Sequence, residues 1–331
     1  MTADALGALA LLVLMLLISG ALAPLETLGW WAGWFGVAPE QQPVTPAVTP
    51  ADTTTRTPAG HYLIFLSGID SVSGESYAPR EMQFVKRLHA ELPDTEIIEL
   101  FPYSVTNRAL TGQRLFARVW RWVLARRLSG ESLVGALINA RNVWQVIVSA
   151  DKRYGPMYNE GSAELILAGL ARSSYQLGSG TPVTILGYSG GGQIAAGAAP
   201  QVKSVLQAPL VVISLAGVLS SDPGLSSIEH LYHLYGERDH VQRIGHIIFP
   251  GRWRITRNSS WNQAVAAGKI TFMSMGPMKH TGAGGYFDAA CKLPDGTDFL
   301  TATATRIASL VTSGQSQVAG NKATRVLSDA L

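Results

Sequence analysis

The stretch Pro182-Val183-Thr184-Ile185-Leu186-Gly187-Tyr188-Ser189-Gly190-Gly191-Gly192-Gln193-Ile194-Ala195-Ala196-Gly197 decides how the rest of the chain is read. Its opening residues, 183–186, are apolar or β-branched and predict a buried strand, while the small residues at its end suit a helix. Between them, Gly-Tyr-Ser-Gly-Gly permits a sharp strand-to-helix turn that lifts the serine to the strand tip in a strained backbone conformation. Such a turn needs neighbours nearly free of side chain two residues before and after the serine, and Gly187 and Gly191 meet that need. Glycine makes up 34 of the 331 residues, so a chance G-x-S-x-G is expected about 0.2–0.3 times in such a chain, and its surroundings must carry the weight.

Downstream, residues 210–215 (Leu-Val-Val-Ile-Ser-Leu) read as another buried strand, and residues 230–235 as the next, ending in Gly236-Glu237-Arg238-Asp239-His240-Val241. A loop rich in arginine and aromatics leads to a helix near residues 260–267. The last strand, residues 269–275, runs into Gly276-Pro277-Met278-Lys279-His280-Thr281-Gly282. A final helix is predicted over 299–311, followed by a flexible tail at 313–331.

Upstream, the folded domain begins at His61, and residues 62–66 (Tyr-Leu-Ile-Phe-Leu) are a continuous apolar run of buried-strand type ending in Ser67-Gly68-Ile69-Asp70. A helix over 79–92 places Met82, Val85, Leu88 and Leu92 along one face, Pro93 stops it, and residues 96–101 form a second strand. Strand, helix, strand is the pattern of a right-handed parallel crossover. Residues 102–180 hold more helix than one crossover needs: segments at 109–128, 131–149 and 162–177, of which the third is the natural crossover and the region 104–150 an insertion. The first of these carries Arg114, Arg118 and Arg121 on one stripe, with Trp120 among the apolar residues over the rest; it also holds Trp122, and residues 104–130 contain no acidic group. It suits an anionic lipid surface or a cover over an apolar substrate; equally it suits a helix packed on the sheet with its arginines in water.

Residues 5–23 are almost wholly apolar and long enough to cross a hydrocarbon core of ~30 Å, with Trp30, Trp31, Trp34 and Phe35 placed for a headgroup interface. Ala21-Leu22-Ala23 also resembles a signal-peptide cleavage site. Against cleavage stand the absence of Lys and Arg from Met1 to Asp4, the length of the run, and Pro24 after the cut. A single-pass N-terminal anchor over 1–37 is therefore expected, its orientation undetermined, since no Lys or Arg flanks it before Arg56. Residues 38–60 are a Pro/Thr-rich linker, and 61–312 one α/β domain.

Composition narrows the classes. A net charge of +3 argues against a dedicated nucleic-acid binder. The single cysteine, Cys291, excludes an intrachain disulfide framework and a multi-cysteine metal site. No metal-binding spacing appears, no cofactor is implied, and oligomeric state is not legible. Asn258-Ser259-Ser260 is a formal glycosylation sequon.

A serine hydroxyl is a weak nucleophile and needs a base within hydrogen-bond reach, held in turn by an acid. Asp239 after the fifth strand and His280 after the last arrive in the order Ser, Asp, His. Glu237 and Asp222 compete with Asp239. Of the seven histidines, His61 enters the first strand, His89 lies on a helix, His230 and His233 lie in or beside a strand, and His240 and His246 precede the last strand.

On these residues, Gly187-Tyr188-Ser189-Gly190-Gly191, Gly236-Glu237-Arg238-Asp239 and Lys279-His280, the chain resembles the α/β-hydrolase superfamily over roughly residues 62–311. The resemblance implies a mostly parallel sheet flanked by helices, with Ser189 as nucleophile, His280 as base and then acid, and Asp239 as orienting carboxylate. It implies an oxyanion hole from the N–H of Gly190 and of Gly68 or Ile69, where the family often has His-Gly and this chain has Ser67-Gly68. The expected activity is an esterase or lipase-like serine hydrolase at a membrane, acting on an acyl ester. The alternative is a non-catalytic, membrane-associated hydrolase scaffold that binds lipid or a partner through residues 109–128.

Overall fold

The computed structural model describes residues 58–70, 79–103 and 132–328, together with Gly7, Leu14, Gly20, 23–25 and Leu28; side chains are described to residue 313 and, in the helix opening at Ser132, from residue 139. Six strands form one sheet: β1 (His61–Leu66), β2 (Thr95–Leu100), β3 (Val183–Tyr188), β4 (Leu210–Leu215), β5 (His230–Tyr235) and β6 (Ile270–Ser274). Every pair is parallel and the spatial order is β2-β1-β3-β4-β5-β6. Parallel strands must be covered on both faces, which is why β1, β3 and β4 read as continuous apolar runs rather than alternating ones.

The helices between them are α1 (Pro79–Glu91), α2 (Ser132–Ala150), α3 (Gly155–Arg172), α4 (Gly190–Leu206), α5 (Val241–Ile248), α6 (Ser260–Ala266) and α7 (Phe299–Ser328). The two faces of β1 show how the layers divide. Tyr62, Ile64 and Leu66 join a core with residues of α2, α3, α4 and α6, whereas Leu63 and Phe65 join a second core with α1 and α7. Each fully buried Leu, Ile or Phe contributes about 1.5–3 kcal/mol to this sandwich.

Local chemistry explains several boundaries. The Asp151 carboxylate accepts the N–H groups of Arg153 and Tyr154, turning the chain after α2 so that α3 starts at Gly155, seven residues before the predicted 162. On α1, Phe84, Val85 and Leu88 face inward with Glu81, while Met82, predicted to be on the inner face, is 54% exposed. Glu81 takes that place because its carboxylate accepts the Gly68 N–H at 3.1 Å. After β5 the expected loop contains α5 and a 3-10 turn, Pro250–Arg252. The last helix continues to Ser328 rather than ending near 311.

The segment 104–131, with Trp120, Trp122, Arg114, Arg118 and Arg121, lies outside the described residues, as does most of the apolar span at 5–23. Of that span, Ala23 is buried in the core beside α2, and the Trp144 ring closes on Gly20, where a Cβ would lie 2.7 Å from it. Among the described residues no helix is long and apolar enough to cross a membrane.

Candidate active site

The sheet order reverses at β1, which has β2 on one side and β3 on the other. In an open parallel sheet, that reversal splays the loops at the carboxyl ends of the two central strands and leaves a crevice between them. The loop after β1 carries Ser67, Gly68 and Ile69, and the turn after β3 carries Ser189.

Ser189 has φ +53° and ψ −120°, a region costly for a residue with a Cβ. Its neighbours are glycines because backbone approaches backbone. A Cβ on Gly187 would lie 2.4 Å from the Gly191 carbonyl oxygen, and one on Gly191 would lie 2.6 Å from that of Leu66. The Ser189 N–H donates to Leu215 and the Gly192 N–H donates to the Ser189 carbonyl, so the tight turn is held from both sides.

Ser189 Oγ lies 2.9 Å from His280 Nε2, and His280 Nδ1 lies 2.9 Å from Asp239 Oδ2. Loops after β3, β5 and β6 thus bring together three side chains that are far apart in sequence. The Asp239 side chain is fully buried. Burial pushes its carboxyl up, but the His280 hydrogen bond and charge, the Tyr286 hydroxyl and the Gln242 N–H outweigh burial and hold it below the usual aspartate value. Asp222, the rival acid, is elsewhere: it accepts the Gly224 N–H at the start of a 3-10 turn and the Gln193 amide at 2.9 Å. Burial raises its pKa. Glu237 accepts the Ser274 hydroxyl and does not reach the histidine.

Of the two residues expected to supply the second oxyanion donor, Gly68 already gives its N–H to Glu81. Ile69 borders Gly190 directly, since a Cβ at Gly190 would stand 3.0 Å from the Ile69 side chain. The turn that holds Ile69 is fastened from several directions. The Tyr103 hydroxyl donates to the Ser67 carbonyl at 2.9 Å, Asn142 Nδ2 donates to the Ile69 carbonyl at 2.7 Å, and Arg141 Nη1 donates to the Tyr103 carbonyl and to Asn142 Oδ1.

Sequence reasoning missed these supports, and also two tyrosines. The Tyr188 hydroxyl donates to the His280 carbonyl at 2.7 Å with its ring stacked on the imidazole, and the Tyr286 hydroxyl donates to Asp239 Oδ2 at 2.8 Å. A signal existed for one group: Arg141, Asn142 and Gln145 are polar interruptions in an otherwise apolar helix, and all three are buried.

Beside His280 is an open cavity of about 430 Å³. Pro79, Tyr188, Tyr286 and Phe287 give it apolar walls, and Asp70, Arg80 and Glu81 contribute charge. Among the described residues, no three His, Cys, Asp or Glu side chains are grouped to hold a metal ion. What the site can do is move a proton: the hydroxyl proton of Ser189 has an acceptor in line, and that acceptor has a buried anion behind it.

No family model matches the chain, and no curated protein matches it. Among solved structures, it is similar to a hyperthermophilic esterase from the archaeon Pyrobaculum calidifontis, at 9% identity over 77% of each chain with a TM-score of 0.42.

Proposed function

We propose that this chain is a serine hydrolase that cleaves carboxylic esters through an acyl-enzyme on Ser189. The observation that carries the reading is the unbroken run from Ser189 Oγ to His280 to the buried Asp239 carboxylate, with 2.9 Å at each link. Ser189 Oγ attacks the ester carbonyl carbon as its proton passes to His280 Nε2, and the carbonyl electron pair moves onto oxygen. The resulting oxyanion faces the N–H groups of Gly190 and Ile69, each such donor contributing about 2.7–4 kcal/mol to lowering the barrier. Collapse expels the alkoxide, which takes the proton back from His280. Water, deprotonated by the same imidazole, then releases the acid and restores the serine. Asp239 remains ionised throughout and stabilises the imidazolium.

The apolar walls of the cavity favour acyl esters over small polar substrates. The apolar stretch at 5–23 and the aromatic residues after it support a membrane-anchored enzyme.

One experiment addresses chemistry and location together. Cells expressing the full chain are separated into soluble and alkali-washed membrane fractions, and both are treated with a fluorophosphonate probe. A labelled band in the membrane fraction that disappears in Ser189→Ala is expected. Undiminished labelling of the variant would refute the nucleophile, and a band confined to the soluble fraction would refute the anchor.

A further inference from the structure

A second cavity, of about 190 Å³, lies apart from the first and is lined by His233, Tyr235, Gln242, Arg252 and Phe272. Its one formal charge comes from Arg252, which is only 7% exposed. A buried charge left without a partner is costly, and buried charges are as a rule paired. Among the described residues no carboxylate pairs with Arg252. Its Nη1 donates to the Leu219 carbonyl at a long 3.3 Å, its Nε has no acceptor among the described residues, and its flat face rests 3.9 Å above the Trp261 ring. Burial lowers its pKa only to about 10, so it stays cationic at neutral pH.

We propose that this cavity binds a small organic monocarboxylate, its carboxylate against Arg252 and its apolar body against Phe272 and Tyr235. Three features select the class. Among the described residues, Arg252 is the only cation in the lining, which suits one negative charge rather than two. His233, whose ring lies 3.1 Å from Ser214 Oγ and 3.4 Å from Gln242 Oε1, is held neutral by burial, with a pKa of about 4, and adds a polar wall without charge. Phe272 is 47% exposed and meets the His233 ring edge-on, with centroids 5.8 Å apart, leaving an aromatic surface at the mouth.

The site stands independently of the chemistry at Ser189, yet it touches the same framework, because the Gln242 N–H donates to Asp239 Oδ1 at 3.2 Å. Calorimetric titration of the purified protein with benzoate, benzamide and inorganic phosphate tests the proposal. Benzoate is expected to bind about tenfold or more tightly than the neutral benzamide and than phosphate, a charge-assisted contact being worth that ratio. Arg252→Met removes the cation. Phe272→Glu sets a carboxylate at the exposed rim without disturbing the core, so it reads out even if Arg252→Met fails to fold. Loss of benzoate binding by about tenfold in Phe272→Glu supports the site. Equal binding of benzoate and benzamide, tighter binding of phosphate, or undiminished benzoate binding in Phe272→Glu overturns it.

Discussion

Asp239 has no acceptor position left over. Oδ2 receives the His280 ring N–H at 2.9 Å and the Tyr286 hydroxyl at 2.8 Å, and Oδ1 receives the N–H groups of Val241 and Gln242 at 2.9 and 3.2 Å. Such a carboxylate is fixed in place and charge, and it fixes the tautomer of the ring before it: proton on Nδ1, lone pair on Nε2 facing Ser189. Asp239→Asn keeps the shape but offers an amide that can steer the ring to the opposite tautomer. Ester hydrolysis is then expected to fall on the order of 10⁴-fold with the far-UV spectrum unchanged. Asp222→Asn, distant from His280, is expected to leave the rate within about threefold, well inside the effect of one lost hydrogen bond. Steady-state kinetics on a soluble ester separates the two. A larger loss from Asp222→Asn would reverse the choice of acid.

The turn between β3 and α4 is the element on which the site depends, and its glycines are sites of close packing. Gly191 passes beneath the end of β1, where a Cβ would also lie 2.9 Å from the Ser67 carbonyl oxygen. Backbone cannot move aside as a side chain can, so Gly191→Ala is expected to cost about 1–3 kcal/mol. It should lower the melting temperature by several degrees and slow fluorophosphonate labelling, because Ser67 leads into the turn that carries Ile69. Unchanged melting and labelling would mean that the turn relaxes freely. Much of this element was legible in the residues themselves: the apolar run at 183–186 and the spacing of Gly187 and Gly191 follow from local pattern. The inner face of α1 was not legible, because the partner of Glu81 is the Gly68 N–H in a loop 13 residues earlier, and no periodicity records that contact. Nor were Tyr188, Tyr286 and Asn142, whose roles are set by residues up to 92 positions away.

The molecule as a whole carries a pH dependence separate from its chemistry. His61, beside Thr184, and His233, beside Ser214, are both buried, and burial depresses each to a pKa of about 4. In the unfolded chain both titrate near 6.5, so as pH falls through that value the unfolded state gains protons that the folded state refuses. Stability is therefore at its full value above about pH 6.5 and falls until about pH 4, by up to about 3 kcal/mol for each histidine. Urea midpoints at pH 7 and pH 5 are expected to differ, and His61→Gln is expected to shrink the difference; equal midpoints would show that these rings are solvated. A last consequence comes from the strand order. β1 acquires β2 on one edge, and every later strand joins the opposite edge in the order in which it is synthesised. A chain leaving the ribosome can extend the sheet one strand at a time, without opening a pair already made. His280 follows Ser189 by 91 residues, roughly 5–20 seconds of translation, so the nascent polypeptide holds its serine turn well before the imidazole that comes to lie beside it has been made.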